Sequence, residues 1–314
     1  MKKLALLLAL TAVAAASFCQ DDTTSVSYVA YWSIGDSYDF RIHKTSQQWS
    51  NDSLTKNDIS EYTANFEVVD STDTSYTVVW TFSNELINTW DIPDELLEEL
   101  SKYSLAEVVY TTSELGEFTG IQNWQELGEM MRSMFTDIFR VISEGSEEKY
   151  EKLRQAGQPI IDMYSSKEGV EQLAFPELML FHFHFGAMIP VADTIQYEDL
   201  FPNLLGGEPI RADAKLWFGE VNFDEERSVL VQESRLNRDD TMTFLKDIMK
   251  KMGVTDEDLD KALSEAVYSI DTFNRYDFYY YPGVPVKIDF SRHIRIDVGG
   301  EKSRREDTIT IELL

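Results

Sequence analysis

Cysteine is almost absent from this chain: one residue in 314, Cys19, close to the N-terminus. A disulfide framework is excluded, so the fold must be held by buried apolar surface. Histidine is scarce as well, with four residues, and no Cys/His spacing suits zinc. There is no Walker-type Gly-Lys loop and no Gly-x-Gly-x-x-Gly segment, hence no phosphate-cradling signature, and no cofactor is expected. Basic residues are few, 28 Lys and Arg against 56 Asp and Glu, for a net charge of -28. That balance argues against nucleic acid as a partner and against adsorption on anionic lipid headgroups.

Long apolar runs are also missing, with one exception. Lys2 and Lys3 precede an apolar or small stretch from Leu4 to Ala16, broken only by Thr11, and Ser17-Phe18-Cys19 leads into polar Gln20-Asp21-Asp22. This pattern predicts a secretory signal peptide over 1–19, cut after Cys19. A lipid anchor on Cys19 is the alternative, disfavoured by Ala16 and the bulky Phe18, where a lipobox wants a Leu-like and a small residue. The expected location is the periplasm or the extracellular space. Loss of Lys2 and Lys3 leaves 26 basic against 56 acidic residues, a net charge of -30. No later run approaches membrane-spanning length, so the mature chain is not expected to span a bilayer.

What is present is enough for a core: 43% hydrophobic residues, including 18 Phe, 15 Tyr and 6 Trp. Strand patterns occupy Tyr28–Thr45, Ile59–Val69 and Tyr76–Phe82, followed by a short helix opened by Asp91 and Pro93. Val108–Thr112 and Glu117–Ile121 read as a hairpin turning at Leu115-Gly116. Helical spacing then governs Leu127 to Ile142, a further helix ends near Ser165, and the apolar run Leu178–Phe185 suggests a buried helix within Glu168–Met188. Strands return at Ile195, Ala212–Phe223 and Val229–Leu236; helices start near Asp239 and Thr255. Three final strands are expected in Phe273–Tyr281, Val286–Val298 and Thr308–Leu313. Consecutive strands with short turns predict an α+β fold, an antiparallel sheet with the helices covering one of its faces. One large domain over 20–314 is expected, with a two-lobed variant around a helical middle at about 122–190.

This layout, with the closing segment Phe278-Tyr279-Tyr280-Tyr281-Pro282-Gly283-Val284-Pro285-Val286-Lys287-Ile288 and its Gly-x-Pro turn, resembles the periplasmic lipoprotein-carrier and lipid-binding superfamily (LolA/LolB-like). The chain likewise resembles exported proteins of the Bacteroidota. The first resemblance implies a curved, half-barrel-like antiparallel sheet with several helices packed on or inside its concave face, an apolar cavity for acyl chains and no catalytic residues, although this chain is much longer than a minimal carrier. Its Met-rich stripe fits adaptable apolar space. The cavity candidates are Met130, Met134, Phe135, Phe139, Met179 and Phe183, with ordinary core packing as the competing reading. The expected function is thus non-catalytic binding of a lipid or other apolar ligand, or else of an envelope protein partner.

Other chemistry is less specific. Gly35-Asp36-Ser37-Tyr38 resembles the start of the SGNH esterase family, but its oxyanion and Asp-x-x-His segments are missed in spacing, and a Gly-Asp turn is the better reading. His182 and His184 would share a metal only on a strand; on a helix they point apart. The acidic run Asp256–Asp260 follows an N-cap at Thr255, as the helix dipole favours. Lys287, Arg292, Arg295, Lys302, Arg304 and Arg305 form a basic cluster, read either as balance for cross-strand carboxylates or as a seat for an anionic headgroup. Finally, an Asp-Ser/Thr pattern resembling a bacterial O-glycosylation signal occurs at Thr23, Ser53, Ser71, Thr194, Thr241 and Thr308, with Ser53 and Ser71 expected in turns.

Overall fold

A computed structural model describes residues 24–82, 103, 107–201, 203, 208–251, 267–298 and 301–314. The strands are β1 (Ser25–Ser27), β2 (Ser37–Ser50), β3 (Ser53–Thr72), β4 (Ser75–Phe82), β5 (Glu107–Ser113), β6 (Phe118–Ile121), β7 (Met188–Pro190), β8 (Ile195–Phe201), β9 (Ile210–Asn222), β10 (Arg227–Leu236), β11 (Val267–Tyr279), β12 (Val284–Val298) and β13 (Glu301–Leu313). The helices are α1 (Trp124–Ile142), α2 (Glu147–Tyr164), the single turn α3 (Lys167–Gly169), α4 (Pro176–His182) and α5 (Arg238–Lys251). The signal segment, the helices expected at Asp91 and Thr255, and the Asp256–Asp260 run lie outside the described residues. No helix among the described residues is long and apolar enough to cross a membrane.

Eleven strands form one open antiparallel sheet in the order β6-β5-β4-β3-β2-β13-β12-β11-β10-β9-β8. Every neighbour is also a chain neighbour except at β2-β13, so the first and last long strands meet in the middle of the sheet. The expected α+β sheet is therefore present as two meanders, β2 to β6 and β8 to β13, joined side by side through the β2-β13 pair. Local chemistry sets its turns: Asn51 and Asp52 carry positive φ (46° and 65°) between β2 and β3, the left-handed geometry that Asn and Asp tolerate in two-residue hairpins.

The sheet is strongly curved, and the segment after β1 shows how far. Ala30 N–H donates to Leu115 O in the β5-β6 turn, and the next residue, Tyr31, donates to Pro282 O in the β11-β12 turn. Those turns lie six strand positions apart, about 29 Å in a flat sheet. Trp32 Nε1 also donates to Gly283 O at 2.9 Å, and Gly35 N–H to Val68 O on β3. This strap, residues 28–36, thus closes one end of a bowl. A Cβ on Gly283, at φ +94°, would stand 2.8 Å from Val29 O. Gly283→Ala is expected to destabilise the protein by more than about 1 kcal/mol in urea unfolding. An unchanged midpoint would contradict the tight strap.

The continuous helix suggested by Leu178–Phe185 is broken in the structure. Val170–Ala174 is π-helical, Phe175 leaves helical geometry at φ -130° and ψ 64°, and α4 restarts with Pro at its first position. A residue before proline is pushed out of the α region, which explains the break. After His182 the chain turns through Gly186 at φ +79° and pairs Met188–Pro190 with Ser25–Ser27, a ribbon that alternation did not reveal. Inside the bowl, α4 lays Phe181 on Phe40, Phe66 and Trp80. α1 and α2 form a hairpin in which Gly157 admits the Phe139 ring.

Candidate functional site

The strand register arranges the concave face in rows that run around the bowl. Beyond the row of Phe278, Leu313, Phe40, Ala64 and Phe82 at the strap end, Leu230, Tyr276, Ile288, Ile311, Ile42 and Tyr62 make an apolar, buried row. The next row holds Gln232, Asn274, Phe290, Ile309 and Lys44. Above it the wall is polar: Ser234, Thr272, Arg292, Asp307, Ser46 and Asp58. Ile270 and Ile294 pair above that, followed by Tyr268 and Ile296, so apolar surface resumes on β11 and β12; Ile296 is 39% exposed.

Three groups of side chains organise the polar belt. Glu177, buried on α4, accepts from Tyr62 Oη and pairs with Lys44 Nζ. Burial, then the adjacent carboxylate, push the Tyr62 phenol well above its ordinary pKa. Asp307 accepts from Ser46 Oγ at 2.7 Å and from Arg305 Nε at 2.8 Å. Gln232 donates to Tyr197 Oη and accepts from Asn274 Nδ2, both at 2.7 Å. Between β13, β2, β3 and Pro176 lies a pocket of about 310 Å³ that includes Lys44, Ser46, Lys56, Asp58, Arg305 and Ile309 in its lining. A larger hollow of about 520 Å³ sits on the outer face, but its walls are dominated by charged side chains such as the Arg235–Asp271 pair, and Phe273 is its one large apolar side chain. The concave pocket is the better ligand seat, because it joins apolar and polar surface.

The cavity candidates from the sequence fall into separate places. Phe135 and Phe139 pack near each other, with Phe135 5.7 Å from Tyr164, in the α1-α2 hairpin. Met130 packs on the core, Met134 and Met179 are half-buried, and Phe183 stacks on Tyr276 at 5.1 Å. The basic cluster is split by the period of two: Arg292 and Arg305 face the bowl, whereas Lys287, Arg295, Lys302 and Arg304 face outward. Glu177 was not singled out by sequence reasoning; a carboxylate directly after Pro176 in an apolar run was its only signal.

Ser37 opens β2 on the outer face, exposed, its Oγ accepting from Asn65 Nδ2 at 2.9 Å. His43 shares that face but lies six residues, about 20 Å, further along the strand. Of the Asp-Ser/Thr positions, Ser53, Ser71 and Thr194 are exposed, Thr308 bonds Thr45 Oγ1 at 2.7 Å, and Thr241 is buried. Thr23 lies outside the described residues.

Both central histidines are buried and neutral. His182 engages Gly116 O through Nδ1 and Tyr110 Oη through Nε2, so neither nitrogen is free for a metal. His184 lies past the helix end among Tyr28, Tyr276 and Phe278, and neither ring nitrogen has a partner. Burial lowers their pKa values to about 4 and about 3. Because an unfolded histidine titrates near 6.5, the unfolded chain binds protons first as pH falls. The stability from these two groups is full above about pH 6.5 and is lost as pH falls toward 4 and 3, on the order of 3 kcal/mol for His182 and 5 kcal/mol for His184. His184→Phe is expected to leave stability at pH 7 unchanged or higher and to flatten this acid loss, measured by urea unfolding across pH 4–7. Equal acid slopes in variant and parent would contradict the assignment.

No protein-family model matches this chain, and no curated protein matches it. Among solved structures, lipovitellin, studied for its lipid–protein interactions, is similar over 90% of this chain with a TM-score of 0.42 and 8% identity. This chain spans 25% of the length of that lipovitellin chain. Ail, the attachment invasion locus protein of Yersinia pestis, gives a TM-score of 0.15 at 4% identity, over 90% of this chain and 100% of Ail. At these scores neither likeness identifies a function.

Proposed function

We propose that this protein is an exported, non-catalytic binding protein that takes an amphiphilic or other apolar ligand in the open part of its bowl. One observation supports this most directly. Above the floor filled by α4 and the strap, the concave face carries half-exposed apolar residues, Ile270, Ile294 and Ile296, next to a polar belt and a pocket of about 310 Å³. A chain segment with a polar end matches that sequence of surfaces. Cleavage after Cys19 and delivery to the envelope belong to the same proposal, as does kinship with the lipid-carrier superfamily. Mass spectrometry of an organic extract of the purified mature protein is expected to show a stoichiometric amphiphile. A clean extract, together with no binding of a fluorescent fatty acid by the folded monomer, would overturn it.

A second reading has its own support at the closed end. Tyr31, Ile34 and Tyr281 are 52%, 61% and 55% exposed, and the two tyrosine rings lie 5.2 Å apart. Such a patch suits an envelope protein partner, and a clean extract would favour it.

A further inference from the structure

The inner face of β12 reads Ile288, Phe290, Arg292, Ile294, Ile296: a single cation in an otherwise apolar stripe. The carboxylate opposite it on β13, Asp307, is already engaged by Ser46 and Arg305. Among the described residues Arg292 makes no ion pair or hydrogen bond; its one specific contact is the face of Phe290, 5.3 Å from the guanidinium carbon to the ring centroid. The side chain is exposed to solvent, yet partial desolvation and, to a smaller extent, the neighbouring Arg305 charge lower its pKa from the ordinary guanidinium value despite nearby Asp307. Exposure combined with desolvation is what a side chain standing inside a concavity shows. On a chain with a net charge of -28, a cation left unpaired there is conspicuous.

An unpaired charge in partly desolvated surroundings is costly, and structural arginines escape that cost by pairing. Every other cation on this wall does so: Lys44 with Glu177, Lys56 with Asp58 and Arg305 with Asp307. A guanidinium fork suits carboxylate or phosphate oxygens, which it can grip bidentately. Ile294, Ile270 and Ile296 continue from Arg292 toward the end of β12 opposite the strap, where an attached hydrocarbon chain has apolar wall to lie on. We propose that Arg292 binds the anionic head, carboxylate or phosphate, of a single-chain amphiphile whose tail lies along the Ile270–Ile294–Ile296 strip. This inference rests on the amphiphile reading above and names its head chemistry.

The test compares binding of oleate, oleyl alcohol and inorganic phosphate to the mature protein and to Arg292→Gln and Arg292→Lys, by calorimetry at low and moderate salt. Wild type is expected to prefer oleate to oleyl alcohol, and Arg292→Gln to lose about tenfold or more for oleate while keeping its affinity for the alcohol. Arg292→Lys is expected to recover part of the loss, which also shows that the site folds. Equal oleate binding by Arg292→Gln and wild type would overturn the head assignment while leaving amphiphile binding intact. Binding of phosphate alone, lost in Arg292→Gln with no contribution from a chain, would overturn the amphiphile and leave a small-anion site. No binding of oleate or alcohol by any folded form would sink the underlying reading itself.

Discussion

Phe181→Ala is expected to lower the unfolding free energy by about 3–5 kcal/mol, the largest single-residue loss in the bowl. Phe181 is fully buried at the point where α4 meets three strands, with ring centroids 5.6 Å from Phe40, 5.3 Å from Phe66 and 5.7 Å from Trp80. α4 has only seven residues, too few to be stable alone, so its position depends on this packing. Truncation removes the aromatic ring and leaves a cavity that neighbouring large rings cannot readily fill. Phe181→Leu should lose clearly less. Urea unfolding followed by circular dichroism reads both, and a loss below about 1 kcal/mol in the alanine variant would show that α4 is not anchored here.

Glu177→Ala comes next, with an expected loss of about 3 kcal/mol, the lower end for breaking a buried pair by removing one partner. The Glu177 side chain is 2% exposed, while Lys44 keeps 29%, and that residual hydration moderates the cost of leaving the ammonium alone. Tyr62 loses its acceptor in the same step. Replacing both charges, Glu177→Ala with Lys44→Met, is expected to recover much of the loss, because no unpaired charge then remains. A double-mutant cycle measures this; additive losses would show that the two groups are uncoupled. The pair stands at the height where the apolar floor gives way to the polar belt.

Much of the sheet was legible from alternation, because a strand buried on one face writes its register into every second residue. Val286 to Val298 falls within β12 for that reason, whereas Phe273 to Tyr281 covers only the second half of β11, which begins at Val267. β13 was expected only from Thr308, since Glu301 to Asp307 is polar on both faces and carries no period of two. The β1-β7 ribbon has three residues per strand, too few for a pattern. The apolar run Leu178–Phe185 suggested a longer helix, because periodicity cannot tell a buried helix from a helix followed by a buried turn. The candidate site was legible only in outline. The basic cluster was visible, but which of its members share a face depends on strand register, and that register places Arg292 in the bowl and Arg295 outside it. Glu177 was hidden because its partners Lys44 and Tyr62 are more than a hundred residues away in the chain.

The most direct test of the concave binding face is photocrosslinking of a fatty acid with a diazirine near its carboxyl end to the folded mature protein, followed by peptide mapping. The account predicts labels concentrated on inward-facing residues of β12 and β13, from Phe290 to Ile294 and around Asp307, and competition by unlabelled oleate. Labels confined to outward-facing residues, or to the exposed Tyr31–Tyr281 end, would contradict it.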